Sequence, residues 1–438
     1  MTLAAPDPGM KQLSAMIPSR IEKYLASRAF TGPWAIAGTA RKDFDGAVVI
    51  PSLAERGLLF STLHSLAQNP KELLSRFLVL AVVNHREDAS SSEKADNRET
   101  LKRLSAGGAD LAALQIAWVD AASPGLELPG KGGGVGLARK VGFDLALNRL
   151  DYDKGSPLLI SLDADTIVRP DYLPAIVAHF RKDQTPGAVI PFCHQPGANP
   201  EEDRAIHRYE LFLRTYVLGL ERAASPYAFQ TVGSAMACTA EGYARMGGMS
   251  QRGAGEDFYF LQHLAKTGGV SRLKGTVVYP SARISHRVPF GTGRSMSDLL
   301  SRKEGAVLFY RVECFQILAD WLALAGQSPD REGKKLLEKT LSISSYLYDF
   351  LIENRFEIVW QKLQRNFRDS RNLLKGFHDW FDGLKTMKFI HHLSAGPYAR
   401  EDPELVVPDL LRWAGLEAVE GTDSQLELLR KVQIGEAY

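Results

Sequence analysis

Four short, nearly unbroken apolar runs constrain this chain most. They are Gly46-Ala-Val-Val-Ile-Pro51, Arg76-Phe-Leu-Val-Leu-Ala-Val-Val-Asn84, Leu114 to Val119, and Pro157-Leu-Leu-Ile-Ser-Leu162. A strand buried on one face alternates polar and apolar residues, whereas a central parallel strand, covered on both faces, is apolar throughout. Runs of this length between turn residues read as buried strands. Leu58 to Leu66 follows the first run at helical spacing, and another helix is expected to start near Val135. Strands alternating with helices argue for an α/β fold with a mostly parallel sheet. Residues 10–30 read as a short amphipathic helix ahead of it. The polar stretch from His85 to Asn97, with Ser90-Ser91-Ser92, reads as an exposed loop, with a helix beginning at Glu99 to Leu104.

The character changes near residue 295, beyond which apolar residues recur at three- and four-residue spacing. The expected division is therefore an N-terminal helical extension (1–44), a catalytic α/β domain (45–295) and an α-helical C-terminal domain (296–438). Two domains suit a length of 438 residues. Phe356, Val359, Trp360, Leu363 and Phe367 form one helical stripe, flanked by Arg355, Lys362, Arg365, Arg368 and Arg371. Such a helix packs into a bundle with its basic face solvated, or lies on an anionic membrane surface. The bundle is the expectation, and Trp321, Trp360, Trp380 and Trp413 are expected in the core. A net charge of +2 gives no footing for a nucleic-acid partner. Cys193, Cys238 and Cys314 lack zinc-ligand spacing and fit a reduced compartment. With no leader pattern and no long apolar span, a cytoplasmic location is expected, with peripheral contact at the inner face of a membrane as a further option.

Candidate chemistry gathers at four places. Asp163-Ala164-Asp165 stands at the C-terminal end of the fourth run, where open α/β sheets place their ligands. Paired carboxylates there suit Mn²⁺ or Mg²⁺ shared with substrate phosphates. Gly130-Lys131-Gly132-Gly133-Gly134 leads to Arg139, glycines permitting close backbone approach and the cations suiting a diphosphate. The stretch fits neither the Walker nor the dinucleotide pattern. Gly255-Glu256-Asp257 opens an apolar helix, and its acids suit a general base or an acceptor anchor, or simply an N-terminal cap. His286 follows a run expected as strand (Thr276 to Tyr279, then Ala282 to Ser285), and neutral imidazole can join carboxylates as a third Mn²⁺ ligand. The Gly-rich stretch Val288 to Arg294 reads as a loop able to close over a substrate.

In this order, over residues 45–290, these elements resemble the nucleotide-sugar glycosyltransferases of the GT-A fold, family-2 type. Leu162-Asp-Ala-Asp165 and Gly255-Glu256-Asp257 are the most specific matches. The resemblance implies a GT-A domain with a helical C-terminal region. It also implies metal-dependent transfer of sugar from a UDP- or GDP-sugar to a saccharide, lipid-linked or small-molecule hydroxyl acceptor. Cell-envelope or exopolysaccharide glycan synthesis is the setting it suggests, and a homodimer is left open. By the same match Asp165 binds the metal directly, Asp163 contacts ribose or metal, Asp257 is the base and Glu256 an acceptor contact. Pro51, Ser52, Glu55, Asn84, Asp120, Lys131, Gly132, Arg139 and Ala164 join Asp163 and Asp165 in holding the donor.

The chain departs from that pattern in three places. Asn84-His85-Arg86-Glu87-Asp88 stands where an acidic pair followed by Gly-Ser is usual, and Lys140 replaces the Asn that follows the family's Arg. His286 resembles a metal ligand of retaining enzymes, so a retaining reaction with metal at Asp163, Asp165 and His286 is one alternative. A nucleotidyl transferase is another, disfavoured because Pro51-Ser-Leu-Ala-Glu55 stands where its phosphate loop would be. A nucleotide-binding protein without turnover is the third.

Overall fold

The computed structural model describes residues 17–250, 255–283, 292–301 and 307–435. Ten strands occur among them: β1 Ile36–Ala37, β2 Gly46–Ser52, β3 Phe77–Asn84, β4 Gln115–Ala121, β5 Leu158–Ser161, β6 Ile167–Val168, β7 Gly187–Val189, β8 Met236–Thr239, β9 Val270–Arg272 and β10 Val278–Tyr279. Eight form one sheet in the order β1-β4-β3-β2-β5-β8-β7-β9, and β10 pairs with β6 in a second ladder. The central β4-β3-β2-β5 block is parallel, with Val48 of β2 opposite Val79 of β3 and Ile160 of β5. β1 and β8 join it antiparallel. The mostly parallel α/β sheet with a helical C-terminal region is the architecture the apolar runs imply.

Every residue of β2, β3 and β5 is buried, because helices cover both faces. Val49, Leu80 and Val82 pack one way, with Val141 and Phe143 of the helix Val135–Ala146. Val48, Val79 and Ile160 pack the other way, with Leu59, Leu63 and Leu173. The chain leaves β2 for β3 and β4 on one side and returns to β5 on the other. The ends of β2 and β5 thus form a topological switch point, the place where open α/β sheets hold ligands in a crevice beyond the carboxyl ends of the strands.

The polar stretch expected as a loop is one as far as Ser90; from Ser91 it is instead the start of the helix Ser91–Ala106, which contains the segment Glu99 to Leu104 expected to be helical. Ser90 caps it reciprocally with Glu93 in a capping box. The helix is long but mostly polar, and its few inward residues include Asn97 and Thr100, so its periodicity gives no apolar stripe to read. Of the strand expected near residue 280, only Val278–Tyr279 forms; Ala282 and Arg283 lie outside any strand, and Ile284 and Ser285 lie outside the described residues.

The N-terminal helix Ser19–Ser27 docks through a buried polar cluster. Asp144 accepts from Tyr24 and Tyr243 hydroxyls at 2.7 and 2.8 Å and from the Phe30 amide at 2.8 Å. Lys140 pairs with it at 2.9 Å and donates to the Tyr24 hydroxyl at 2.8 Å. Lys140 therefore faces the N-terminal helix.

Beyond residue 307 helices pack around a third core, which includes Leu211 and Leu218 of the long helix Pro200–Arg222. Trp321 and Trp360 are fully buried there, as expected of core tryptophans. Phe356–Asn366 is a bundle helix with Phe356 and Trp360 inward. No helix among the described residues is long and apolar enough to cross a membrane. Cys193, Cys238 and Cys314 are buried thiols.

The C-terminal helix Thr422–Ile434 is pinned to Pro200–Arg222 at Glu210. That fully buried carboxylate accepts from Arg430 at 2.7 Å, Arg214 at 2.8 Å and the His194 ring at 2.9 Å. Burial pushes its pKa up, but Arg214, then His194 and Arg430, hold it well below the usual carboxylate range. Breaking a buried pair by removing one partner strands the remaining charges and costs about 3–5 kcal/mol. Glu210→Gln is expected to lower the urea midpoint accordingly. A midpoint unchanged from wild type would show that this cluster does not hold the helix.

Candidate functional site

Asp163 and Asp165 follow β5 in a tight turn, closed by the Thr166 amide bonding to the Asp163 carbonyl at 3.2 Å. Ala164 between them is buried, and its carbonyl accepts from Thr62 at 2.9 Å. Turn and anchor aim both carboxylates into the crevice at the switch point. On the neighbouring strand, Pro51 and Ser52 close β2 and are buried. Ala54 then takes a left-handed conformation at φ 50°, unusual for a residue with a side chain. Its amide is held by the Asn97 side-chain oxygen at 2.9 Å. This bend brings Glu55 to the same crevice.

Two arginines organise the acids. Arg139, from the helix Val135–Ala146, is 3 % exposed and bonds Asp163 through one guanidinium nitrogen and Glu256 through the other. Burial alone would lower its pKa, but Asp163 and Glu256 more than offset that, and it stays charged. Gly233 lies against the guanidinium so closely that a Cβ there would collide with it. Arg283 bonds Glu55 and, at 2.8 Å, Asp165. Arg139 thus unites the two acid motifs, and Arg283 ties the second acid of the first motif to β2.

Asp257 adjoins this cluster at the start of the helix Glu256–Thr267, entered through Gly255 in the left-handed region at φ 70°. Neither acid caps the helix through a side chain, although the Phe258 amide donates to Asp257 Oδ1 at 2.8 Å. Burial, then the charge of Glu256, pushes the Asp257 carboxyl up to about 7, against the opposing pull of Arg139. Near it, Tyr209 is itself pushed up to about 12, mainly by burial.

The β3 end is built differently. Asn84 and His85 are buried, and Asn84 donates to the Ser52 carbonyl at 3.2 Å. Asn97, its oxygen committed to Ala54, donates to the Asn84 carbonyl and to His85 Nδ1, both at 2.9 Å. That leaves His85 neutral with its proton on Nε2, and burial pushes its pKa below the ordinary value. Asp120, the last residue but one of β4, accepts from the Ala122 and Ser123 amides at 3.0 and 2.8 Å. Lys131 and Gly132 lie exposed in the loop before the Arg139 helix, with open space around Gly132. His286 lies outside the described residues. Thr292 to Arg294, expected in the closing loop, instead begin the helix Thr292–Leu300, and 288–291 lie outside the described residues.

Sequence reasoning thus named Asp163, Asp165, Glu256, Asp257, Arg139 and Glu55, which the fold brings together. It missed Arg283, Asn97 and His85. Arg283 stands three residues before His286, and its partners Glu55 and Asp165 are distant in sequence, so no local pattern marks it. Among the described residues no cluster of three or more acidic, His or Cys groups is arranged to hold a metal ion.

No protein-family model matches the chain, and no curated protein matches it in sequence. Solved structures do. S. aureus TarS 1–349 in complex with UDP-GlcNAc is 12% identical, with 77% of this chain and 91% of that one covered at a TM-score of 0.37. The mannosyltransferase PcManGT from Pyrobaculum calidifontis, in complex with GDP-Man and Mn²⁺, is 13% identical over 94% of this chain and 91% of its own, at 0.36. The glucosyl-3-phosphoglycerate synthase of M. tuberculosis is 14% identical over 67% and 88%, at 0.32.

The raised pKa of Asp257 has a signed consequence. Held more tightly in the folded chain than in the unfolded one, its proton stabilises the fold fully below the ordinary value near 4, and that contribution is lost as pH rises through about 7. Glu256→Gln removes the neighbouring charge, so the Asp257 titration followed by carboxyl ¹³C NMR is expected to move to lower pH. A midpoint that stays put would show that burial alone sets it.

Proposed function

We propose that the chain is a glycosyltransferase that moves a sugar from a UDP- or GDP-sugar to a hydroxyl acceptor. The observation that carries this reading is the Arg139 bridge. It joins the acid pair after β5 to the acid pair of the helix Glu256–Thr267, at the switch point of a mostly parallel sheet. One pair suits a diphosphate donor and the other an acceptor, and they stand side by side.

The donor set supports a divalent cation in the donor half. The described cluster gathers five carboxylates (Glu55, Asp163, Asp165, Glu256, Asp257) around the guanidiniums of Arg139 and Arg283. Carboxylates grouped at a strand end suit a divalent cation shared with substrate phosphates. Asp163 and Asp165 are hard oxygen donors exposed to the crevice, 33 % and 20 % respectively, and are the residues that would hold Mn²⁺ or Mg²⁺. When bound, the ion would offset negative charge on the departing diphosphate.

The chain's own groups do the rest. Asp257, with a pKa near 7, takes the acceptor proton as the acceptor oxygen bonds to the anomeric carbon, and the electron pair of the breaking bond leaves with the diphosphate. The sugar is transferred with inversion. Glu256, held by Arg139, keeps that pKa high and lines the acceptor side. Pro51, Ser52, Asn84 and Asp120 at the ends of β2, β3 and β4 are the candidates to contact base and ribose, and Lys131 and Gly132 the diphosphate. Residues 45–295 form the transferase domain on this reading, with the helices beyond shaping the acceptor side.

The test is thermal-shift titration of wild type and Asp165→Ala with UDP, GDP, CDP and ADP, each with and without Mn²⁺. One nucleotide is expected to stabilise wild type only with Mn²⁺, by about 2.7 kcal/mol at a hundredfold excess over Kd. Asp165→Ala is expected to lose that gain. Asp257→Asn should keep donor binding and lose about 10²–10⁴ in turnover. Absence of any nucleotide-dependent shift would refute sugar transfer, and near-normal turnover of Asp257→Asn would refute its role as base.

A further inference from the structure

We propose that Arg283 is a resident counter-cation that exchanges with the metal ion. It holds Asp165 and Glu55 together while the donor site is empty, and turns to the donor diphosphate when the ion takes Asp165. The inference rests on the sugar-transfer reading and assigns a donor-binding cation that no motif marks.

The setting is specific. β2 and β5 are adjacent parallel strands, so the residues after them, Glu55 and Asp165, stand side by side. Two like charges so placed repel unless a cation lies between them. Arg283 supplies it from a third direction, because β10 pairs with β6, with Tyr279 opposite Ile167, just past Asp165. Gln195 fixes that junction, its side-chain amide donating to the Asp165 carbonyl at 3.0 Å and the Tyr279 carbonyl at 2.6 Å. The strand that leads to Arg283 is thereby tied to the Asp165 turn, and the Arg283 guanidinium meets Asp165 and Glu55.

Arg139 and Arg283 each bridge two acids, but their surroundings differ. The Arg139 side chain is 3 % exposed and closed in by Gly233, whereas the Arg283 side chain is 31 % exposed. The Arg139 side chain is thus enclosed, whereas that of Arg283 is partly open to solvent. A cation on Asp165 competes with the guanidinium for the same carboxylate, so one displaces the other. The displaced guanidinium keeps its forked donors, which match phosphate oxygens as well as carboxylates. Metal alone must therefore break the Arg283–Asp165 pair, whereas metal arriving with a diphosphate offers the guanidinium phosphate oxygens in place of that carboxylate. The two ligands then bind with positive coupling, and by linkage each raises the affinity of the other equally.

The experiment measures Mn²⁺ binding by calorimetry and by Mn²⁺ EPR, without nucleotide and with saturating UDP or GDP, for wild type, Arg283→Gln and Arg283→Lys. Exchange predicts that Arg283→Gln binds Mn²⁺ about fivefold or more tightly without nucleotide, and no more tightly than wild type with it, so the coupling shrinks. Arg283→Lys, which keeps the charge but lacks the fork, should remain close to wild type without nucleotide and weaker with it. Simple loss of a repelling charge would instead tighten Mn²⁺ binding equally in both conditions, and that result overturns the exchange. Wild type that binds Mn²⁺ while Arg283→Gln binds it no better overturns the exchange alone. Wild type that binds no Mn²⁺, with or without nucleotide, removes the metal from the sugar-transfer reading and the exchange with it.

Discussion

A single buried guanidinium sets the terms for this site. Arg139 can stay charged in the interior only because two carboxylates meet it, and those carboxylates can approach one another only because it lies between them. The bridge therefore fixes the turn after β5, the start of the helix Glu256–Thr267 and the face of the helix Val135–Ala146 in one arrangement. It also explains Asp257. Partial burial and the charge of Glu256 beside it disfavour a second negative charge, which pushes the carboxyl up to about 7. The same restraint that assembles the cluster tunes its most basic member.

Around that fixed point the crevice has a rigid side and an adjustable one. On the rigid side, Arg139 and Glu256 are buried and Gly233 packs against the guanidinium. On the adjustable side, the partly exposed Arg283 spans Glu55 and Asp165, acids carried by neighbouring strands. On the proposed reading this division would serve sugar transfer, in which the acceptor proton is taken from a constant position while a charged donor enters and its nucleotide leaves.

The sheet was legible because burial on both faces erases polar alternation, and β2, β3 and β5 appear in the sequence as continuous apolar runs. The acids of Asp163 to Asp165 and Glu256-Asp257 were legible because each sits beside such an element, at a strand end or a helix start. The first half of the helix Ser91–Ala106 was not, since its inward side carries Asn97 and Thr100, and a polar inward side leaves no hydrophobic period. Yet Asn97 shapes the β2 and β3 ends through three hydrogen bonds. Arg283 was hidden for another reason: its role depends on the pairing of β10 with β6, a contact between segments far apart in the chain. Local pattern reveals elements and the residues at their ends, whereas side chains that join elements emerge only once the topology is known.

Lys140 carries a consequence for the ancestry of this chain. Its ammonium is buried, and besides Asp144 it is satisfied by the Tyr24 hydroxyl and the Arg28 carbonyl, both supplied by the N-terminal segment. A homologue that kept this lysine but shed the leading helix would leave a buried charge short of partners, and one that kept the helix with a short neutral residue at 140 would leave Tyr24 without its donor. The two features should therefore be kept or lost as one unit, so that a single position deep in the α/β domain is expected to report whether a related chain carries the N-terminal helix.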